Sequence, residues 1–124
     1  MFDIKNTTRQ KIPKIPFQKI AETVLGKKYE LSLVFIGDQL SRKLNRQYRQ
    51  IDKNASILSF PLTKNNGEIF INLNLAKKNS AKFDRAYNNF IAFLFIHGLT
   101  HLKGRQHSSK MEREEVAVRK KFNI

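Results

Sequence analysis

All three histidines of the chain, His97, His101 and His107, fall inside one short stretch, HGLTHLKGRQH. On a helix, four residues turn through about 400°, so His97 and His101 share a face one turn apart. Their ring nitrogens can therefore converge on one ion, each at about 2.0–2.1 Å. Gly104 follows His101 by three residues. Glycine readily takes the left-handed conformation that ends a helix, and the reversal brings His107 back toward the other two. The pattern H-x3-H-x2-G-x2-H thus describes three imidazoles gathered by a helix and its own terminating turn. Three neutral nitrogens plus water make the open site of catalytic zinc, one ion per chain, and not a closed structural one. Iron, nickel and copper suit the same donors, and availability decides among them.

A pair of histidines at i, i+4 arises readily by chance. Three at this spacing, with a glycine at the helix stop and no other histidine in the chain, are much harder to reach without a metal site. Metzincin peptidases share the spacing as H-E-x-x-H-x-x-G-x-x-H, where the glutamate is the general base. Here that position is Gly98, which removes the peptidase base and is read as leaving room for a bulky substrate. Water made acidic by zinc, with a pKa near about 7, still supplies a nucleophile.

These histidines must be carried by a long helix, expected from about Asp84 to Leu102 across the apolar run FIAFLFI. Before it, Phe17, Ile20, Ala21, Val24 and Leu25 have helical spacing, and YELSLVFI (29–36) reads as a strand entering a core. A second helix begins near Asp38, with Leu40, Leu44, Tyr48 and Ile51 as its inner stripe. Its other side carries Arg42, Arg46 and Arg49, spaced i, i+4, i+7. That stripe is either a solvated face or a ridge that tracks phosphates. ILSFP (57–61) reads as a strand halted by Pro61, followed by the loop 63–67 and a second strand, EIFIN. Short helices are expected over 73–81 and from Ser108 or Ser109 onward, and a further strand over 2–5. The order gives an α/β (α+β) domain, with a small sheet flanked by helices, spanning 1–124 as a single unit.

The chain holds 24 Lys and Arg against 10 Asp and Glu, a net charge of +14 spread along its length. A folded basic surface of this kind points to a polyanion, and nucleic acid is the usual one. Histidines acting on RNA directly, without metal, are the other reading of the cluster. With no cysteine, disulfides and thiolate metal sites are excluded. No secretory signal is visible, and no apolar run reaches the ~20 residues of a membrane span. A cytoplasmic protein with no membrane role is expected.

Read with its surroundings, the histidine stretch resembles the YbeY family of bacterial endoribonucleases, also called rRNA maturation factors. The family signature H-G-x-x-H-L-x-G-x-D-H is matched at His97, Gly98, His101, Leu102, Gly104 and His107. LNRQYRQIDKNASILSFP (44–61) is similar to a second family segment at Leu44, Asn45, Tyr48, Arg49, Asp52 and Leu58 to Pro61. GEIFI (67–71) corresponds to the family's G-D-I, and the likeness runs from about Leu31 to Phe122. It implies a small mixed sheet flanked by helices, with a metzincin-like metal-binding helix and turn. It also implies zinc on His97, His101 and His107, and cleavage of single-stranded RNA in maturation of the 16S rRNA 3′ end and in ribosome quality control. The partners implied are the small ribosomal subunit and ribosome-associated proteins. The family's arginine falls on Arg49, which favours phosphate contact for that residue.

The family's aspartate before the third histidine is Gln106 here, its T-D before V-L-S-F-P is Ala55-Ser56, and its G-D-I aspartate is Glu68. The first change removes a carboxylate able to orient a ligand, which implies weaker metal binding. Glu68 is read as either a surface acid at a strand end or a group near the site. A non-catalytic RNA-binding assembly factor with a structural or vestigial metal is the alternative those changes favour.

Overall fold

The computed structural model describes residues 2–104 and 109–124. Four strands, β1 (Phe2–Asn6), β2 (Glu30–Ile36), β3 (Ile57–Thr63) and β4 (Asn66–Asn72), form one sheet in the order β1-β2-β4-β3. β1, β2 and β4 run parallel, and β3 pairs antiparallel with β4. The sheet is therefore mixed, as the family resemblance implied. Among the described residues five helices accompany it: α1 (Phe17–Leu25), α2 (Asp38–Arg49), α3 (Leu73–Lys82), α4 (Tyr87–Leu102) and α5 (Ser109–Lys121). No helix among the described residues is long and apolar enough to cross a membrane.

Alternation along the strands sorts the core. Leu31, Leu33 and Phe35 of β2 and Ile69 and Ile71 of β4 point to one face, where they join Phe17, Ile20, Phe90, Phe95 and Leu99. Phe17 sets its ring edge-on to Phe95 at 5.1 Å and tilted to Phe35 at 5.7 Å. The greasiest helix, α4, is the centre of this layer, and α1, α3 and α5 pack around it.

Four sequence expectations are corrected. The inner side of α2 is not its apolar stripe: Tyr48 is 67% exposed, and Leu40 and Ile51 are exposed too. Buried instead are Ser41 and Asn45, which tie the helix to the loop after it. The Ser41 hydroxyl donates to the Ala55 carbonyl at 2.7 Å and accepts from the Ala55 amide at 2.9 Å, while Asn45 Nδ2 donates to the Lys53 carbonyl at 3.0 Å. Pro61 does not halt β3, because β3 is the sheet edge, where a missing amide hydrogen is tolerated, and the register shifts just beyond it. The two strands consequently reach closer together than expected, leaving only Lys64 and Asn65 between them. Finally, α4 starts at Tyr87 and not near Asp84, since Asp84 itself adopts a left-handed φ of 52° that turns the chain out of α3.

Candidate metal centre and RNA cleft

The last turns of α4 place His97 and His101 on one face, as their spacing predicts. Their Nε2 atoms are 3.0 Å apart and the rings stand at 82° to one another. Gly104 has the left-handed φ of 83° expected of a helix-ending glycine, and its amide donates to the His101 carbonyl at 3.0 Å. His107, the third histidine, and Gln106 lie outside the described residues. Among the described residues no group of three His, Cys, Asp or Glu forms a metal cluster.

What fixes His97 comes from another helix. Glu115 of α5 is only 7% exposed, and its Oε1 lies 2.8 Å from His97 Nδ1. Thr100 Oγ1 stands 2.7 Å from the same oxygen and 2.8 Å from the His97 carbonyl, its single proton serving one or the other. The second carboxylate oxygen is 3.9 Å from Arg119 Nη1. Burial by itself pushes the Glu115 carboxyl up. The hydrogen bonds from His97 and Thr100, with the positive charge of Arg119, outweigh burial and hold it below its ordinary value. An ionised carboxylate only accepts, so Nδ1 of His97 carries the proton and Nε2 keeps its lone pair. The donor set thus fits a divalent ion of the zinc type: two imidazole nitrogens face each other, and one is oriented by a carboxylate behind it.

A cleft of about 440 Å³ opens on the histidines, lined among others by Arg49, Leu58, Ser59, Pro61, His97 and His101. The structure thus brings Arg49, from the end of α2, to the same cleft as two of the three predicted ligands. The rest of the arginine stripe is partly engaged. Arg42 forks onto Asp52 at 2.7 and 3.0 Å, and Arg46 approaches the same carboxylate at 3.9 Å. Gly98 does not make room for substrate as expected. A Cβ there would come within 2.7 Å of Ile57 Cδ1 and 3.2 Å of Ile69 Cδ1, so this glycine lets α4 lie close against β3 and β4. Its carbonyl accepts from the Ser59 hydroxyl at 3.0 Å, joining the strand to the histidine turn. Glu68 pairs with Phe60 and alternates with core-facing Ile69, which sets it on the opposite face of the sheet from the histidines.

The sequence profile described as Endoribonuclease YbeY matches residues 3–123. The chain belongs to the YbeY family. The Endoribonuclease YbeY of Aliarcobacter butzleri is 34% identical over 113 residues, covering 86% of this chain and 79% of that protein. That of Helicobacter pylori strain Shi470 is 33% identical over 131 residues, covering all of this chain and 93% of its relative. A Thermotoga maritima protein solved in solution superposes with a TM-score of 0.71 at 20% identity, over 99% of this chain and 92% of that one, which bears on the fold alone.

Within this YbeY-family site, Glu115 is the residue that sequence reasoning missed. The signature led attention to the position before His107, where glutamine stands, and to the orienting carboxylate lost there. A carboxylate is supplied to His97 all the same, from α5. The available signal was a faint one: in MEREEVAV (111–118), Glu115 lies between Met111 and Val118 on the helix side that turns inward.

Proposed function

We propose that the chain is a metal-dependent endoribonuclease that cuts single-stranded RNA in the cytoplasm, at the 3′ end of 16S rRNA within the small ribosomal subunit and its associated proteins. The observation that carries this reading is the His97–His101 pair, backed by Glu115, opening on a cleft that also holds Arg49. His97, His101 and His107 would hold one zinc ion. Such an ion supplies Lewis-acid polarisation of a phosphodiester and a water of lowered pKa.

The chain's own groups supply the rest. The Arg49 guanidinium offers paired N–H donors to the non-bridging oxygens of the scissile phosphate and balances the charge that builds there. Glu115 holds the His97 proton on Nδ1, which leaves Nε2, on the side facing His101, as the lone-pair donor. The net charge of +14 gathers the polyanion from a distance, so binding weakens steeply as salt rises.

The test joins metal content, by elemental mass spectrometry, with cleavage of an unstructured oligoribonucleotide, for wild type and His101→Ala purified without chelating resin. One zinc per wild-type chain, none in the variant, and cleavage lost on chelation and restored by zinc are the expected results. RNA bound equally with and without metal, and never cut, would replace this reading with a non-catalytic assembly factor.

A further inference from the structure

His97 stands between two clefts of opposite character. On one side lies the cleft of Arg49 and Ser59, suited to a phosphate. On the other is a larger cleft of about 560 Å³, whose lining includes Asn79, Phe83, Phe93, Glu112, Val116 and Arg119 in addition to His97. A volume in this range takes a small organic group. Phe83, Phe90 and Phe93 form a row of near-parallel rings, with centroids 5.3 and 5.9 Å apart and interplanar angles of 19° and 15°. The inner ring, Phe90, is 2% exposed, whereas Phe83 at the outer end is 61% exposed. Arg85 and Arg119 place their guanidinium carbons over Phe93 at 4.4 and 5.1 Å.

We propose that this second cleft is a nucleobase subsite, in which the base of a nucleotide next to the scissile phosphate stacks on Phe83. The inference deepens the endoribonuclease reading and rests on it. Three features choose this occupant. The cleft shares His97 with the Arg49 cleft, so a strand whose phosphate lies by Arg49 places a neighbouring nucleotide here. Its rim carries the Glu112 carboxylate and the Asn79 amide, which bond the donors and acceptors of base edges, and a carboxylate repels phosphate. Its aromatic row ends in an exposed ring that a flat heterocycle extends, and such stacking accepts any base. The subsite also accounts for a preference for single strands, because a paired base is not free to leave its own stack.

The experiment uses the full chain loaded with zinc and a short unstructured oligoribonucleotide carrying 2-aminopurine, whose fluorescence is quenched on stacking. Wild type, Phe83→Ala, Phe83→Trp and Arg49→Ala are compared for quenching, for affinity by anisotropy and for cleavage. Wild type quenches the probe. Phe83→Ala loses the quenching and binds roughly tenfold or more weakly, Phe83→Trp restores both, and Arg49→Ala weakens binding while keeping the quenching. Quenching and affinity unchanged in Phe83→Ala, with cleavage intact, would overturn the subsite and leave the nuclease standing, the aromatic row then being a surface for something other than RNA. A wild type that neither binds nor cuts the oligonucleotide would overturn the endoribonuclease reading, and the subsite with it.

Discussion

The two faces of the sheet are built by different means, and the candidate site takes groups from both. On the face of α4, the histidines ride on a helix with ten buried residues, packed into a continuous core of aromatic and aliphatic side chains. On the other face, Arg49 rides on α2, whose buried residues are a serine and an asparagine and whose apolar residues are largely in water. The first arrangement is fixed by packing, which tolerates little displacement. The second is fixed by a few hydrogen bonds to the 53–55 backbone. A rigid histidine pair thus faces an arginine-bearing arm that can be shifted at little cost to the fold.

The widest separation between the faces lies in stability. Phe95 is fully buried between Phe17 and the sheet, so Phe95→Ala should destabilise by about 3–5 kcal/mol in urea unfolding. A loss below about 1 kcal/mol would mean that the α4 layer is not close-packed. Next comes the hold on His97. Glu115→Gln keeps the shape of the side chain and removes its charge, and should weaken zinc binding about 10- to 100-fold in a competition titration. Zinc affinity equal to that of wild type would show that the 2.8 Å contact to His97 does not tune the ligand. On the α2 face, Ser41→Ala leaves both the amide and the carbonyl of Ala55 without their partner, at about 1–3 kcal/mol. Its effect on RNA cleavage should exceed that of a core variant of equal stability, because it loosens the element that carries Arg49.

The start of α2 adds a pH dependence. Asp38 accepts from Asn72 Nδ2 at 2.9 Å and from Asn74 Nδ2. The Asn72 hydrogen bond is the main cause holding its carboxyl below the ordinary 3.8; burial opposes this, and the Asn74 bond and the Lys78 charge add to it. A carboxyl lowered by folding contributes stability that is complete above its unfolded value and fades as pH falls through its folded one. Asp38→Asn should therefore cost stability at neutral pH, and the gap to wild type should narrow below about pH 4. A gap independent of pH would mean that the ionised form is not what the two asparagines hold.

The same division decides how much was legible beforehand. Strand alternation and helical spacing located β2 and α1 closely, and the apolar run located the body and end of α4 though not its start, because on the α4 side apolar sequence and burial coincide. On α2 they do not. Leu40, Leu44, Tyr48 and Ile51 have the period of an inner stripe, yet hydrogen bonding to the loop selects the Ser41 and Asn45 side. For the site, His97, His101 and Gly104 could be read from spacing alone because one helix and its end hold them. Glu115 could not, since it meets His97 only through the packing of α5 on α4, a contact that no local pattern encodes. Arg49 reached the site through likeness to a family segment, and its place in the cleft depends on how α2 ends beside the edge strand.

The smallest expected effect is also the sharpest check on this division. Tyr48 has a large ring, lies in the segment that resembles the family and falls at a position with inward period, so sequence alone would rank it with Phe95. It is nevertheless 67% exposed, with its ring 5.1 Å from that of Phe60. Tyr48→Ala gives up little buried area, and its stability should stay within about 0.5 kcal/mol of wild type. A cost approaching that of Phe95→Ala would show that α2 packs through its apolar stripe after all. The helix would then present a different side to the sheet, and Arg49, one residue further on, would be turned away from the histidine cleft.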